Sequence, residues 1–397
     1  CRLQFPAALM RIALFSGNYN YLREGANQAL NTLVGYLEQR AGHSVRVYSP
    51  VTNTPAFEPE GTLVPVASVR LPLRGEFQLA LGLPRATRRD IETFAPDIVH
   101  VSTPDILGVR AQTFAKRRGI PVVASLHTLF ETYPAFYGVG WARPLVEVHL
   151  RRFYRRSDHV FAPTRQLVAE MKQMRGDDCS SVWSRGIDRE LFNPGRRDLE
   201  WRRAYGIADD EVVVVFFGRL VLEKGVSTYV AVLKALQQQG LPVRPLIIGS
   251  GPALGAFDAL TGRIVTGHLV GESLARAVAS ADIMLTPSTT ETFGNVVLEA
   301  MASALTVVSA DVPSAQSLIM DGHTGFLSPP GDLGHYAATI ERLVKNTQPR
   351  RAIGIAAWEA SKAYSWDAAS ASVERVYQQI QNCSTNKQSL PASLVIN

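Results

Sequence analysis

Two carboxylates raise the first chemical question. The stretch TTETFGNVVLEAMAS (289–303) puts Glu291 in a polar approach and Glu299 inside an apolar helical run, with seven residues between them. A helix this apolar is buried, and a buried carboxylate without a partner is expensive. Either both have partners in the fold, or both face a cleft and hold a polar ligand. Upstream, GRLVLEKG (218–225) sets Arg219 and Lys224 directly after the apolar run VVVVFFG, with Gly218 and Gly225 as flanks. A guanidinium can fork over phosphate oxygens and an ammonium adds a point charge, so this loop suits a diphosphate. GSGP (249–252) follows the next apolar run, and Gly251 there permits close backbone approach to a ligand. The backbone N–H groups of Phe293, Gly294 and Asn295 would open the helix that carries Glu299, and such an N-terminus favours anions. DGHTGFLSPPGD (321–332) is a turn-rich return with no chemistry of its own.

Groups so far apart in the chain need elements that end at one place. Short apolar, β-branched runs alternate with helical patterns throughout: RIALFS, VRVYSP, DIVHVS, PVVASLH and HVFAPT in the first half, then VVVVFFG, RPLIIGS, RIVTG, IMLTPS and TVVSAD in the second. Repeated strand–helix–strand units give a mostly parallel sheet, and near-continuous apolar strands match a sheet covered on both faces. The polar segment 185–207 with its Pro-Gly break reads as the linker. The expected architecture is α/β: two doubly wound, Rossmann-like domains facing across a cleft. Their expected bounds are 10–187 and 188–364, with an amphipathic helix over 365–382 returning to the first domain. Sheets of this kind bind ligands at the carboxyl ends of their strands. MRIALFSG from Met10 reads as the natural start, so 1–9 and 383–397 are expected to be disordered extensions.

At 397 residues the chain has room for two cores, and 46% hydrophobic with 19% charged residues is an ordinary globular composition. Its longest apolar runs fall far short of the roughly 20 residues that span a bilayer. Residues 1–9 lack the apolar core and cleavage site of a signal peptide. Cys1, Cys179 and Cys383 are isolated, which points to neither a disulfide framework nor a metal site, and makes the cytoplasm the expected compartment. The net charge of +6 is uneven: residues 1–190 hold 24 Lys and Arg against 17 Asp and Glu, an excess of +7, and the remainder is at −1. The excess concentrates in RPLVEVHLRRFYRRSD (143–158), where Arg151, Arg152, Arg155 and Arg156 recur at helical spacing beside Phe153 and Tyr154. An anionic partner for the first half follows, either a membrane surface or a phosphorylated substrate. Nucleic acid is disfavoured, because the basic runs lack interleaved stacking aromatics.

In combination these features closely resemble the retaining glycosyltransferases of family 4, which have the GT-B fold. The matching residues are Phe217-Gly218-Arg219-Leu220 with Glu223-Lys224-Gly225, Gly249-Ser250-Gly251-Pro252, Glu291-Thr292-Phe293-Gly294 through Glu299-Ala300, and the closing DGHTGFLSPPGD. REGANQALNTLVGYLEQRAGHSVRVYSP resembles the family's opening glycine loop and helix. SLHTLFETYPAFYG and WSRGIDRELFNP resemble the mannosyltransferase and sulfoquinovosyl-lipid synthase branch. One departure is SADVPSAQSLI, with Ser-Ala where many relatives have Gly-Gly followed by Glu, in a loop that neighbours the sugar site in the family.

The resemblance implies a role for each matched position. Arg219 and Lys224 neutralise the departing nucleotide diphosphate, Gly25 lies near the donor phosphates, and Glu299 holds the ribose hydroxyls. Glu291 and the backbone after it orient the donor sugar, His127 contacts that sugar near the reacting centre, and contacts around Gly267 and His268 read the base. It implies transfer of a hexose, with mannose from GDP-mannose the first choice, to a lipid-linked, glycolipid or polysaccharide acceptor. It implies no metal or cofactor, the nucleotide-sugar being a co-substrate, and peripheral attachment to the inner face of the cytoplasmic membrane. The alternatives are a UDP-sugar-dependent transferase, a sugar-nucleotide epimerase and an inactive nucleotide-sugar-binding protein. A dinucleotide oxidoreductase is disfavoured, since neither half shows Gly-x-Gly-x-x-Gly after its first strand.

Overall fold

Val212–Phe217 is buried at every position, as a strand must be when helices cover both faces of its sheet. The computed structural model describes residues 9–22, 24–71, 74–132 and 138–388; of the extensions expected at 1–9 and 383–397, residues 1–8 and 389–397 lie outside the described residues, and 383–388 are helical. Two compact units result. The first runs to Arg185 and resumes at Trp366; the second is Gly186–Ser365.

The first unit carries β1 (Arg11–Phe15), β2 (Ser44–Ser49), β3 (Thr62–Pro65), β4 (Ser68–Leu71), β5 (Arg74–Ala80), β6 (Ile98–Val101), β7 (Val122–Ser125), β8 (His159–Ala162) and β9 (Ser180–Val182). Seven of these form one parallel sheet in the order β3-β2-β1-β6-β7-β8-β9, while β4 and β5 pair antiparallel as a separate ribbon. The helix Trp366–Gln388 belongs to this unit and extends past residue 382, where the amphipathic pattern places its end. Its Ala369, Val373 and Tyr377, four residues apart, form one buried face against Met10, Leu33 and Trp183.

The second unit carries β10 (Val212–Phe217), β11 (Val243–Ile248), β12 (Ile264–Gly267), β13 (Ile283–Thr286), β14 (Thr306–Ala310) and β15 (Phe326–Ser328) in the order β12-β11-β10-β13-β14-β15. Both sheets reverse direction of growth beside their first strand, at β1/β6 and at β10/β13. Connections diverge at such a point and leave space beyond the carboxyl ends of the two strands.

Candidate functional site

The loops after β10 and β13 carry six of the predicted residues, Gly218, Arg219, Lys224, Glu291, Phe293 and Gly294, and lie at the second unit's reversal point, where Val214 pairs with Ile283. One glycine brings the loops together. Gly225 has φ +77°, and a Cβ there would sit 2.8 Å from both the carbonyl carbon and oxygen of Pro287. That approach puts Lys224 Nζ 2.5 Å from Glu291 Oε1, each side chain about one-fifth exposed (23% and 21%). The hydroxyls of Ser288 and Thr290 also donate to the Glu223 carbonyl, at 3.5 and 3.4 Å. Arg219 is exposed on the same loop. Gly225→Ala is expected to force the loops apart, lowering Tm by several degrees and turnover at least tenfold, because both the φ and the space exclude a side chain. Thermal unfolding beside steady-state kinetics checks this; an alanine variant with wild-type values removes the steric argument.

The glycines after β11 answer to backbone as well. A Cβ on Gly249 would meet the Gly218 carbonyl oxygen at 1.9 Å, and one on Gly251 would meet that of Leu220 at 2.3 Å. Leu220 N–H donates to Ser250 O and Ala253 N–H to Leu220 O, both at 2.9 Å. The close approach expected of Gly251 is thus made to the Arg219 loop, which it braces. Gly267, at φ +73°, accepts from Gly249 N–H at 2.8 Å, and His268 beyond it is exposed.

Glu291 and Glu299 have different surroundings. Gly294, at φ +95°, precedes the helix Asn295–Ala302, whose first turn has no acidic residue and no side-chain cap. Phe293 is core: its ring is buried and meets Tyr364 edge-on at 6.0 Å. Asn295 is half-buried. Glu299 lies one turn into the helix, and among the described residues no hydrogen-bond donor or cation faces its carboxylate. Burial pushes its carboxyl up from 4.5 to about 8. Glu291 has a partner; Glu299 has none.

In the first unit, Gly25 begins the helix Gly25–Gln39, again with no acidic residue in its first turn. Gly17, after β1, packs where a Cβ would meet Asp105 Oδ2 at 2.4 Å, and its N–H donates to Thr103 Oγ1 at 3.0 Å. His127 follows β7 and has both ring nitrogens engaged, Nε2 with Ser125 Oγ at 2.8 Å and Nδ1 with an Arg185 terminal nitrogen at 2.9 Å. Burial, then the Arg185 charge, then His100, hold its pKa well below 6.5, so the ring is neutral. Arg185 is buried, and among the described residues no carboxylate pairs with it. Sequence reading quoted Arg185 only inside a linker motif, and nothing in the spacing ties it to His127.

The basic helix spans Arg143–Arg155 and differs from the expected cationic face beside aromatics. Phe153 and Tyr154 are buried with Leu150 in the core. Arg155 Nε donates to Met174 O at 3.1 Å and Arg156 to Thr113 Oγ1 at 2.9 Å, so these two tie the helix to its neighbours. Arg151 and Arg152 are exposed. An apolar stripe lies on the same outer surface: Trp141 is 76% exposed, and Leu145 and Val148 are each 66% exposed.

Among the described residues no helix is long and apolar enough to cross a membrane, and no His, Cys, Asp or Glu cluster is grouped to hold a metal. Residues 23–191 match Glycosyltransferase Family 4, and residues 211–346 match Glycosyl transferases group 1. The chain is 30% identical to sulfoquinovosyl transferase SQD2 of Arabidopsis thaliana, over 91% of this chain and 72% of that protein. It is 32% identical to a GDP-mannose-dependent alpha-mannosyltransferase of Mycobacterium tuberculosis, over 78% and 82% of the two chains. The sucrose-phosphate synthase of Thermosynechococcus elongatus superposes with a TM-score of 0.77 at 19% identity, over 94% of this chain and all 100% of the other. Anabaena HepE, solved in complex with UDP and glucose, superposes at 0.72 and 19% over 93% and 100%. Strand order, the loops at the reversal point and these likenesses agree: the chain belongs to glycosyltransferase family 4, and is a retaining, nucleotide-sugar-dependent glycosyltransferase of GT-B fold.

Proposed function

We propose that the second unit binds the donor between the β10 and β13 loops and that the hexose transferred is mannose from GDP-mannose. The observation that carries the donor site is Glu299, a half-buried carboxylate with no partner among the described residues, beside an uncapped helix N-terminus. Two ribose hydroxyls supply the donors it lacks. Arg219 and Lys224 take the diphosphate and stabilise its charge as the glycosidic bond ionises, a role two cations fill through electrostatics alone. Glu291, held by Lys224, and the N–H groups of Phe293, Gly294 and Asn295 face the sugar, with Gly267 and His268 toward the base; the family resemblance gives Gly25 of the first unit a role at the phosphates. Support for mannose comes from the GDP-mannose-dependent relative at 32% identity. A hydrolysis screen of the purified protein against GDP-, UDP- and ADP-sugars tests the choice. GDP-mannose should be turned over fastest; a UDP-sugar turned over faster overturns the mannose assignment and leaves the site intact.

The acceptor is lipid-linked or a membrane glycolipid, and the first unit attaches peripherally to the inner face of the cytoplasmic membrane. Supporting this are the +7 excess of residues 1–190 and the exposed Trp141, Leu145 and Val148, with Arg152 continuing their helical spacing and Arg151 beside it. An apolar stripe rimmed by arginines fits an anionic interface better than water. Each cation near such a surface contributes about 1 kcal/mol, so Arg151→Gln with Arg152→Gln should weaken binding roughly thirtyfold. Sedimentation with vesicles of graded anionic lipid content measures it, and Trp141→Ala should add to the loss. Wild-type protein left in the supernatant at low salt points instead to a water-soluble acceptor.

A further inference from the structure

A buried chain of polar side chains runs through the first unit, from the C-terminal helix to His127. His100, fully buried in β6, has Nδ1 2.6 Å from the Tyr377 hydroxyl and Nε2 2.9 Å from Ser125 Oγ, at the end of β7. Ser125 Oγ lies 2.8 Å from His127 Nε2, and Arg185 closes the chain at His127 Nδ1, 2.9 Å away. A guanidinium can only donate, so Nδ1 of His127 accepts and the ring proton sits on Nε2, donated to Ser125. Trp183 packs edge-on against both imidazoles, at 5.3 Å from His127 and 6.0 Å from His100, and the Arg185 guanidinium lies 5.0 Å from the same indole.

This chain sits among Phe161, Val123, Val373 and Trp183, where apolar side chains would pack without the desolvation of two imidazoles and two hydroxyls. Its members come from three separate strand regions and a helix whose Tyr377 is 277 positions from His100, so local structure does not require them. What the chain does fix is the tilt of the His127 ring, through Ser125 at Nε2, while Arg185 at Nδ1 sets its tautomer. With both nitrogens engaged, His127 is placed to offer its ring edge in a set orientation, beside the Arg185 guanidinium, which pairs with no carboxylate among the described residues.

We propose that Tyr377 and His100 are positioning residues, which act through Ser125 to hold the His127 ring in one orientation for sugar transfer. The proposal rests on the reading that His127 lies at the transferred sugar. It makes the C-terminal helix a working part of the first unit, beyond its apolar packing.

The test combines Tyr377→Phe, Ser125→Ala and the double variant with histidine ¹⁵N NMR on the full chain. Tyr377→Phe should lower kcat about tenfold while the donor KM changes less than about twofold. The double variant should lose no more than the worse single, since both cut one chain. The His127 Nε2–H signal should shift and exchange faster with water as its Ser125 partner is displaced or lost, the proton staying on Nε2 because Arg185 still donates to Nδ1. Multiplicative losses in the double variant, or unmoved His127 signals, overturn the coupling. If the signals move but kcat holds in both Tyr377→Phe and His127→Ala, the chain exists and the reading of His127 is what fails. Should Tyr377→Phe not fold, Ser125→Ala carries the same kinetic and spectroscopic comparison alone.

Discussion

Arg219→Ala and Lys224→Ala are each expected to lower kcat by roughly two to three powers of ten, the usual loss for a charge contact made to the transition state. The loop that carries Arg219 is held by backbone, through Gly218 and Leu220 against Gly249, Ser250 and Gly251, so the variant should keep the loop's course. The Lys224 ammonium pairs with Glu291 at 2.5 Å. Removing it leaves a carboxylate in a partly buried place and should cost on the order of 1 kcal/mol of stability. Glu291→Gln should likewise reduce turnover more than nucleotide binding, and it also releases Lys224. The Lys224→Ala/Glu291→Gln double variant is therefore expected to lose far less than the product of the singles. Steady-state kinetics with nucleotide titration and thermal unfolding on all four proteins checks each point. Wild-type turnover in both Arg219→Ala and Lys224→Ala would falsify the diphosphate assignment.

The central strands were legible because burial on both faces leaves a continuous apolar run, as in Val212–Phe217 and Ile283–Thr286. The edges were not. β3, β9 and β15 are three or four residues long and half-buried, and β15 lies inside the segment read as a turn-rich return. The antiparallel β4–β5 ribbon breaks the alternation of strand and helix and left no periodic signal that would separate it from a loop. At the site, residue type and position after a strand were enough to single out Arg219, Lys224, Glu291 and Glu299. Their pairing was not readable, since the Lys224–Glu291 contact spans 67 positions and depends on how Gly225 meets Pro287. Leu150, Phe153 and Tyr154 do carry a readable core signal, the i, i+3, i+4 stripe, and it puts the two aromatics away from the exposed arginines. The Tyr377–His100–Ser125–His127 chain has no counterpart in spacing, because three-dimensional contact alone joins its members.

Glu299→Gln is expected to strengthen the fold and weaken the nucleotide at once. The carboxyl is pushed up from 4.5 to about 8 by burial, with nothing opposing it. Below about pH 4.5 the folded and unfolded chains both hold the proton. Between about 4.5 and 8 only the folded chain holds it, so stability falls as pH rises through that window, and above about 8 the loss is complete. Glutamine has no such loss, so the variant should melt several degrees above wild type at pH 8 to 9, a difference of a few kcal/mol at most, and show much less difference near pH 5. Nucleotide binding should run the other way. Two ribose hydroxyls donating to the ionised carboxylate make charge-assisted bonds, and their loss should raise the Kd for the nucleoside diphosphate roughly ten- to a hundredfold. Because the free site is protonated at neutral pH and the occupied one ionised, binding should release a proton and tighten as pH rises toward 8. Calorimetry in buffers of different ionisation enthalpy counts that proton directly. A variant that gains stability yet binds nucleotide as tightly as wild type, with no proton released by either, would mean that the carboxylate faces no ribose and that the donor lies elsewhere on the β10–β13 loops.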